Sequence, residues 1–276
     1  MKISRALSLV LACISLFLLT GASNFSSPLN SVKNYTIYYG KVNEEILNKL
    51  SKMDMVIIEP HEFTKEQIQI LREKGTIVLG YISLMELEKW NTDFVQKVIE
   101  EDYYYRNNEK IYIEKWDTYI MDISNPHYQQ LLIDEIQVEI VDKGLDGVFF
   151  DTIGDIDDYF SKEPAAQKKL RDSYLQLLKS IKQTNPEKIL VQNWGFETFK
   201  SDSYTFLDGL LWEDFRTRDL VKSDWGQKWI NYFKLVEKRK RVAIFTVTPS
   251  KKDKQYSLNQ GFTSFINKDD YYNELK

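Results

Sequence analysis

From residue 35 onward the chain alternates short apolar runs with longer segments in which apolar residues recur at helical spacing. The runs are Tyr35–Tyr39, Met55–Ile58, Ile77–Ile82, Gly147–Phe150, Ile189–Val191, Gly209–Trp212, Val242–Val247 and Phe262–Ile266. They are continuous rather than alternating, the pattern of strands covered on both faces. The segments between them carry helix punctuation. Asn43 precedes Glu44-Glu45, and Ile46, Leu47, Leu50 and Met53 share one face. Thr64 with Gln67 has the spacing of a capping box, and Gly75 closes that helix. Asn125-Pro126 opens a helix with proline at its first position, and Gly144 stops it. Leu170, Tyr174, Leu177, Leu178 and Ile181 form the apolar face of another, ended by Asn185-Pro186. Asp224 caps a last one, with Trp229, Ile230, Phe233 and Val236 inward.

Strands alternating with helices imply a parallel sheet. Eight repeats in about 250 residues predict a single (β/α)8 TIM barrel, here over residues 34–276. An open doubly wound sheet is the alternative. It lacks its usual phosphate turn, because the first strand leads into Tyr39-Gly40-Lys41-Val42 with no GxGxxG. An insertion follows strand three, between Ser83 and Asn125. It concentrates aromatics: Trp90, Tyr103, Tyr104, Tyr105, Tyr112, Trp116 and Tyr119. Between strands seven and eight, Pro249 to Gln260 is too polar for a good helix, so a degenerate unit is expected there.

The first 22 residues follow a different pattern. Lys2 and Arg5 precede an apolar run from Ala6 to Leu19, then the small residues Thr20-Gly21-Ala22. This is the layout of a cleaved secretory signal peptide, with an uncleaved anchor as the alternative. Residues 23–33 have the composition of a short linker, and no second hydrophobic span follows. An exported, secreted protein is expected. Loss of Lys2 and Arg5 would take the net charge from −4 to −6. With 37 Lys plus Arg against 41 Asp plus Glu, the chain lacks the basic face of a nucleic-acid binder. Its basic run Lys238-Arg239-Lys240-Arg241 suits a helix C-terminus. One cysteine, Cys13, and two histidines, His61 and His127, exclude an internal disulfide and a Cys/His zinc site. No metal and no cofactor are expected, so the chemistry falls to carboxylates, amides and aromatics.

In such barrels the reacting groups stand at the C-terminal ends of strands. The first polar residues after the apolar runs are Glu59, then Ser83, Glu86 and Glu88, then Asp151, Asn193 and Glu213-Asp214. Tyr119-Ile120-Met121 leads to Asp122. Paired carboxylates suit glycoside hydrolysis, in which one protonates the leaving oxygen and the other attacks or activates water. Crowding carboxylates raises the pKa of at least one and supplies the acid. Tyr39, Tyr81, Trp194 and Trp212 stand at the same strand ends and offer faces on which sugars stack. Plainer roles stand beside these. Asp151 suits a helix N-cap, Glu213 a structural ion pair, and Glu59 the loop before Pro60. Glu88 is read as a solvated helix residue, Asp155, Asp157 and Asp158 as a solvated turn, and both histidines as surface or minor binding residues.

These residues also resemble a known family. Gly80-Tyr-Ile-Ser-Leu-Met-Glu-Leu-Glu88, Asp122-Ile-Ser-Asn-Pro126 and Gly144-Leu-Asp-Gly-Val-Phe-Phe-Asp151 are similar to motifs of glycoside hydrolase family 114, and to the related hydrolase of bacterial Pel polysaccharide machinery. The resemblance covers roughly residues 35–267. It implies a TIM barrel with endo-α-1,4-polygalactosaminidase activity. Asp151 and Glu213 fall on the catalytic acids, and Glu59, Glu86, Asp122 and Asn193 on the binding rim. Met85 stands where the family usually has glycine, which would narrow a sugar subsite. The implied partner is a polysaccharide, cationic if rich in galactosamine, and an acidic chain would attract it. Two other readings stay open: a carbohydrate-binding barrel without catalysis, and a metal-dependent deacetylase, which two separated histidines support poorly.

Overall fold

The computed structural model describes residues 26–269 and 271–275. Residues 1–22, read above as a signal peptide, lie outside the described residues. Eight strands form one parallel sheet: β1 Tyr35–Tyr38, β2 Met55–Ile58, β3 Ile77–Ser83, β4 Gly147–Asp151, β5 Ile189–Asn193, β6 Gly209–Trp212, β7 Ala243–Thr248 and β8 Thr263–Ile266. Each pairs with its sequence neighbour, and β8 returns beside β1 to leave a nearly closed barrel. Successive side chains along a strand point to opposite faces. Ile37, Met55, Ile57, Leu79, Phe149, Val191, Leu211 and Phe245 therefore fill the barrel interior. Tyr38, Val56, Ile58, Val78, Val148, Phe150, Leu190, Leu210 and Ile244 pack outward against the helices. Both faces are dry, which is why the strands read as unbroken apolar runs.

The punctuated segments are helices where the spacing placed them: α1 Glu44–Leu50, α2 Lys65–Glu73, α3 Pro126–Ile136, α4 Pro164–Thr184 and α5 Asp224–Lys238. The capping box at Thr64 and Gln67 is formed, while α5 is capped by Ser223 rather than Asp224. The segment read as degenerate is instead a helix, α6 Lys251–Asn259. Ser250 caps it, and its buried Ser257 meets Thr246 of β7 through a hydroxyl pair at 2.7 Å. The inward contact is polar, so apolar periodicity does not reveal it.

The insertion after β3 builds small antiparallel sheets. Glu86–Glu88 pairs with Thr118–Ile120, which pairs in turn with Tyr112–Ile113. Part of its aromatic content is plain packing: Tyr119 lies 5.6 Å from Tyr103 and 5.1 Å from Tyr112, ring to ring. Trp90 and Trp116 stay exposed. At the opposite end of the barrel, the described part of the stretch read as linker is packed. Pro28–Ser31 forms a turn of 3-10 helix, with Leu29 only 1% exposed. The Ser27 amide reaches the Lys240 carbonyl at 2.8 Å. Among the described residues, no helix is long and apolar enough to cross a membrane.

Candidate active site

Three neighbouring strands deliver three polar residues to one point. β4 ends on Asp151, β5 on Asn193, and Glu213 follows β6 directly. The next residue in each case has left-handed backbone: Thr152 at φ 64°, Trp194 at φ 53° and Asp214 at φ 52°. Such conformations are costly for residues with a Cβ and cluster at functional sites. They turn the chain sharply, so the preceding side chain stands up into the mouth of the barrel. Thr152 is held in its strained state by its hydroxyl, which accepts from the Met85 amide at 2.7 Å and donates to the Asp151 carbonyl at 2.7 Å.

The Asn193 side-chain amide bridges the two acids. Its nitrogen donates to Asp151 Oδ1 and to Glu213 Oε2, each at 2.8 Å. The two oxygens are thus no farther apart than twice 2.8 Å. Amide hydrogens diverge by about 120°, which sets the separation at roughly 5 Å. The Asp151 oxygen also accepts from the Thr152 amide at 2.8 Å. The second oxygen of Glu213 accepts from the Tyr272 hydroxyl. These residues line one cleft of about 680 Å³, together with Tyr39, Glu59, Tyr81, Glu86, Glu88, Trp90, Trp116, Asp155, Trp194 and Tyr271.

Burial of so many acids in one place shapes their ionisation. Glu213 is pushed up to about 7, first by burial and then by the Asp151 charge. Burial also raises Asp151, but donors from Asn193, Thr152 and Tyr81 oppose it. Asp151 therefore suits the anion and Glu213 the proton carrier. Beside them, burial lifts Glu59 to about 7 and Glu88 to about 8. Glu88 shares a hydrogen bond with the Tyr81 hydroxyl at 3.1 Å. Glu86 accepts from the Thr118 hydroxyl, and burial together with the Glu86 charge raises the Asp155 carboxyl well above the usual carboxylate range.

These raised carboxyls have a consequence for stability. Ordinary carboxylates titrate near 4.3 in the unfolded chain. Between there and about 7 to 8 the folded state binds more protons, so rising pH destabilises it. The melting temperature should be highest near pH 5 and fall towards about pH 8. Glu88→Gln should flatten that fall. A melting temperature that climbs from pH 5 to 8 would contradict the assignment.

Of the residues read from sequence, Tyr39, Glu59, Tyr81, Glu86, Asp151, Asn193, Trp194 and Glu213 all face the cleft. Asp122 and Trp212 do not. The Asp122 carboxylate accepts from the Ser124 amide at 2.9 Å and from its hydroxyl, closing the turn before α3. Trp212 is 1% exposed and points outward from β6 into an aromatic cluster. Met85 is fully buried in the outer core, so it narrows no subsite.

Glu88, read as solvated, is a strand residue facing inward. Asp155 and Asp157 are likewise not a solvated turn. Asp155 faces Glu86, and Asp157 binds Arg171 at 2.6 Å and the amides of Glu197 and Thr198. The histidines serve acids as well: His61 meets Glu135 at 3.0 Å, and His127 meets the buried Asp102 at 2.9 Å. Among the described residues, no group of three or more His, Cys, Asp or Glu is arranged to hold a metal ion.

Residues 76–266, from the start of β3 through β8, match the model of the hypothetical glycosyl hydrolase family 15. The chain belongs to this family. The match takes in Asp151, Asn193 and Glu213. Solved structures, glycoside hydrolases among them, share this chain's fold. The glycoside hydrolase domain of PelA from Pseudomonas aeruginosa superposes with a TM-score of 0.68 at 17% identity, over 86% of this chain and 94% of that one. Ega3 from Aspergillus fumigatus, solved in complex with galactosamine, gives 0.61 at 14% identity, over 87% and 94%. A family GH13_31 enzyme gives 0.56 at 11% identity, over 80% and 59%. The PelA domain and Ega3 thus share the barrel fold of this chain. No curated protein matches it in sequence.

Proposed function

We propose that this protein is an exported, endo-acting glycoside hydrolase of aminosugar polysaccharides, working by the retaining mechanism. The observation that carries the reading is the Asn193 bridge, which holds two acids from different strands at one short separation. Retaining enzymes place their carboxyl groups about 5–5.5 Å apart, whereas inverting ones leave 6.5–9.5 Å for a water. Asp151, whose ionised form its donors favour, attacks the anomeric carbon. Glu213 gives its proton to the glycosidic oxygen as the bond between that oxygen and the anomeric carbon breaks. Water then attacks the glycosyl ester on Asp151 while Glu213 takes the water's proton, which frees the sugar and restores both acids. Burial and the Asp151 charge set Glu213 near neutrality, where a group can serve as acid and then as base.

The substrate class rests on charge and shape. Glu59, Glu86, Glu88, Asp155 and Asp214 all line the cleft, and a cationic polymer would draw the raised carboxyls to the ionised form that pairs with it. Trp90 is 54% exposed and Trp116 41% exposed on the same rim, where they can stack sugars beyond the cleaved bond. Galactosamine bound to Ega3 supports the choice. Export is supported by the pattern of residues 1–22.

The test is incubation with α-1,4-linked galactosamine chains of graded length. Shortened chains should appear, and the first product seen by proton NMR should keep the α configuration. β product would overturn retention. Saturable binding with no chain shortening would leave only a carbohydrate-binding barrel. Trp116→Ala should lower kcat/KM about five- to tenfold on long chains and leave the shortest cleavable oligomer unaffected. Equal losses on both would place Trp116 outside the binding path.

A further inference from the structure

The chain after β8 does not leave the barrel. It folds back across the mouth, where Asn267, Lys268, Asp269, Tyr271, Tyr272 and Asn273 become one wall of the cleft. Two backbone bonds fasten it. The Asn267 amide donates to the Thr248 carbonyl at 3.0 Å, and the Tyr39 amide to the Tyr272 carbonyl at 2.9 Å. The Asn267 side chain donates to the Asp269 carbonyl at 2.6 Å and secures the turn. The Tyr272 ring sits edge-on to Tyr39, with centroids 5.4 Å apart, and 6.5 Å from Phe265 of β8. Ring packing and backbone bonds together aim its hydroxyl at one atom, Glu213 Oε1.

We propose that Tyr272 is a positioning residue for Glu213, brought to the active site by this C-terminal strap. The inference rests on the hydrolase reading above. Asn193 already holds Glu213 Oε2 at 2.8 Å, so the two donors clamp the carboxyl group by both oxygens. Tyr272 donates to Glu213 Oε1 throughout, weakly to the neutral acid and more strongly once its proton has gone to the leaving oxygen. It thereby stabilises the carboxylate that forms during bond cleavage and keeps its geometry for the second step. Phenol ionisation plays no part, because burial and the Glu213 charge hold the Tyr272 proton firmly.

The groups that face Glu213 define what its titration reports. Asp151 from β4 and Asp214 beside it disfavour its ionisation, whereas Tyr272 and Asn193 favour it by donation. Tyr35 of β1 and Tyr39, just after it, also lie within its field as neutral phenols. Loss of the Tyr272 donor therefore raises the Glu213 pKa, and the other groups stay in place. Tyr272→Phe retains the ring that packs on Tyr39 and Phe265, so folding should be preserved.

The experiment compares Tyr272→Phe with the wild type in two independent readouts. Carbon-13 NMR of the Glu213 carboxyl needs no turnover, and it should show its titration about one unit higher in the variant. The pH–rate profile on galactosamine chains should show kcat reduced roughly ten- to a hundredfold, KM within twofold, and the alkaline limb moved upward. A second variant, with 3-fluorotyrosine at position 272, retains the shape and acidifies the hydroxyl, and should move the titration the other way. Unmoved Glu213 titration in both variants would overturn the proposal. So would a shifted titration with an unchanged kcat in a protein that cleaves the polymer. A shifted titration in a protein whose wild type cleaves nothing would uphold the hydrogen bond and instead sink the hydrolase reading, and the positioning role with it.

Discussion

Asp151→Asn should lower kcat/KM by roughly 10⁴- to 10⁶-fold, the range seen when a covalent nucleophile is removed. The amide is nearly isosteric and cannot form the glycosyl ester, so the loss falls on the first chemical step. Asn193 would meet an amide oxygen in place of a carboxylate, and the Thr152 bond would persist. Folding should not suffer. Asp151 lies half-buried beside Glu213, and its charge raises the pKa of Glu213, of Glu88 and of Glu86. Removing that charge relieves repulsion, so the melting temperature should stay level or rise, the usual exchange between stability and activity at a functional site. Reducing-end release and thermal unfolding, measured on the same preparation, check both halves. A variant that hydrolyses at the wild-type rate would remove Asp151 from the mechanism.

Trp212→Ala should have the opposite signature: a large loss of stability and no specific effect on the chemistry of the surviving folded protein. Trp212 ends β6 and is surrounded by rings. Phe196 lies 4.9 Å away, Phe215 5.0 Å, Trp225 5.6 Å, Phe233 5.9 Å and Trp194 6.2 Å. Truncation leaves a cavity that these rings cannot all close at once. Buried tryptophan to alanine typically costs about 3–5 kcal/mol. In a domain of this size that lowers the melting temperature by roughly 6–20 °C. Differential scanning calorimetry would measure it. A small shift accompanied by a raised KM would restore the sugar-stacking role that its strand-end position suggested. Trp194 makes the contrast, because it lines the cleft and stacks on Phe196 at 4.9 Å.

The different fates of Trp212 and Glu213 show where pattern reading stops. Both stand at the end of β6, and the sequence places them there without ambiguity. Which one enters the cleft depends on strand parity and on the left-handed turn at Asp214, neither of which a propensity reports. Asp122 has the same lesson in reverse. Its carboxylate satisfies the local amide of Ser124, the common use of aspartate in a turn. Glu88 was hidden because two-residue and three-residue strands in an insertion have too few positions to display a period. Tyr272 was invisible for another reason: it follows β8, beyond the repeat, and no strand-end rule extends there.

What the sequence determined by itself is the repeat. Eight unbroken apolar runs, separated by capped amphipathic segments, require strands buried on both faces, and a barrel satisfies that requirement. The strand-end positions of Asp151, Asn193 and Glu213 follow from the same repeat. The tertiary structure alone decided their function as a group. The closing of the sheet sets β4, β5 and β6 side by side, strained turns lift three side chains to one height, and a strap from outside the repeat reaches Glu213. Distances of a few ångströms between residues tens of positions apart come from packing, and only packed coordinates contain them.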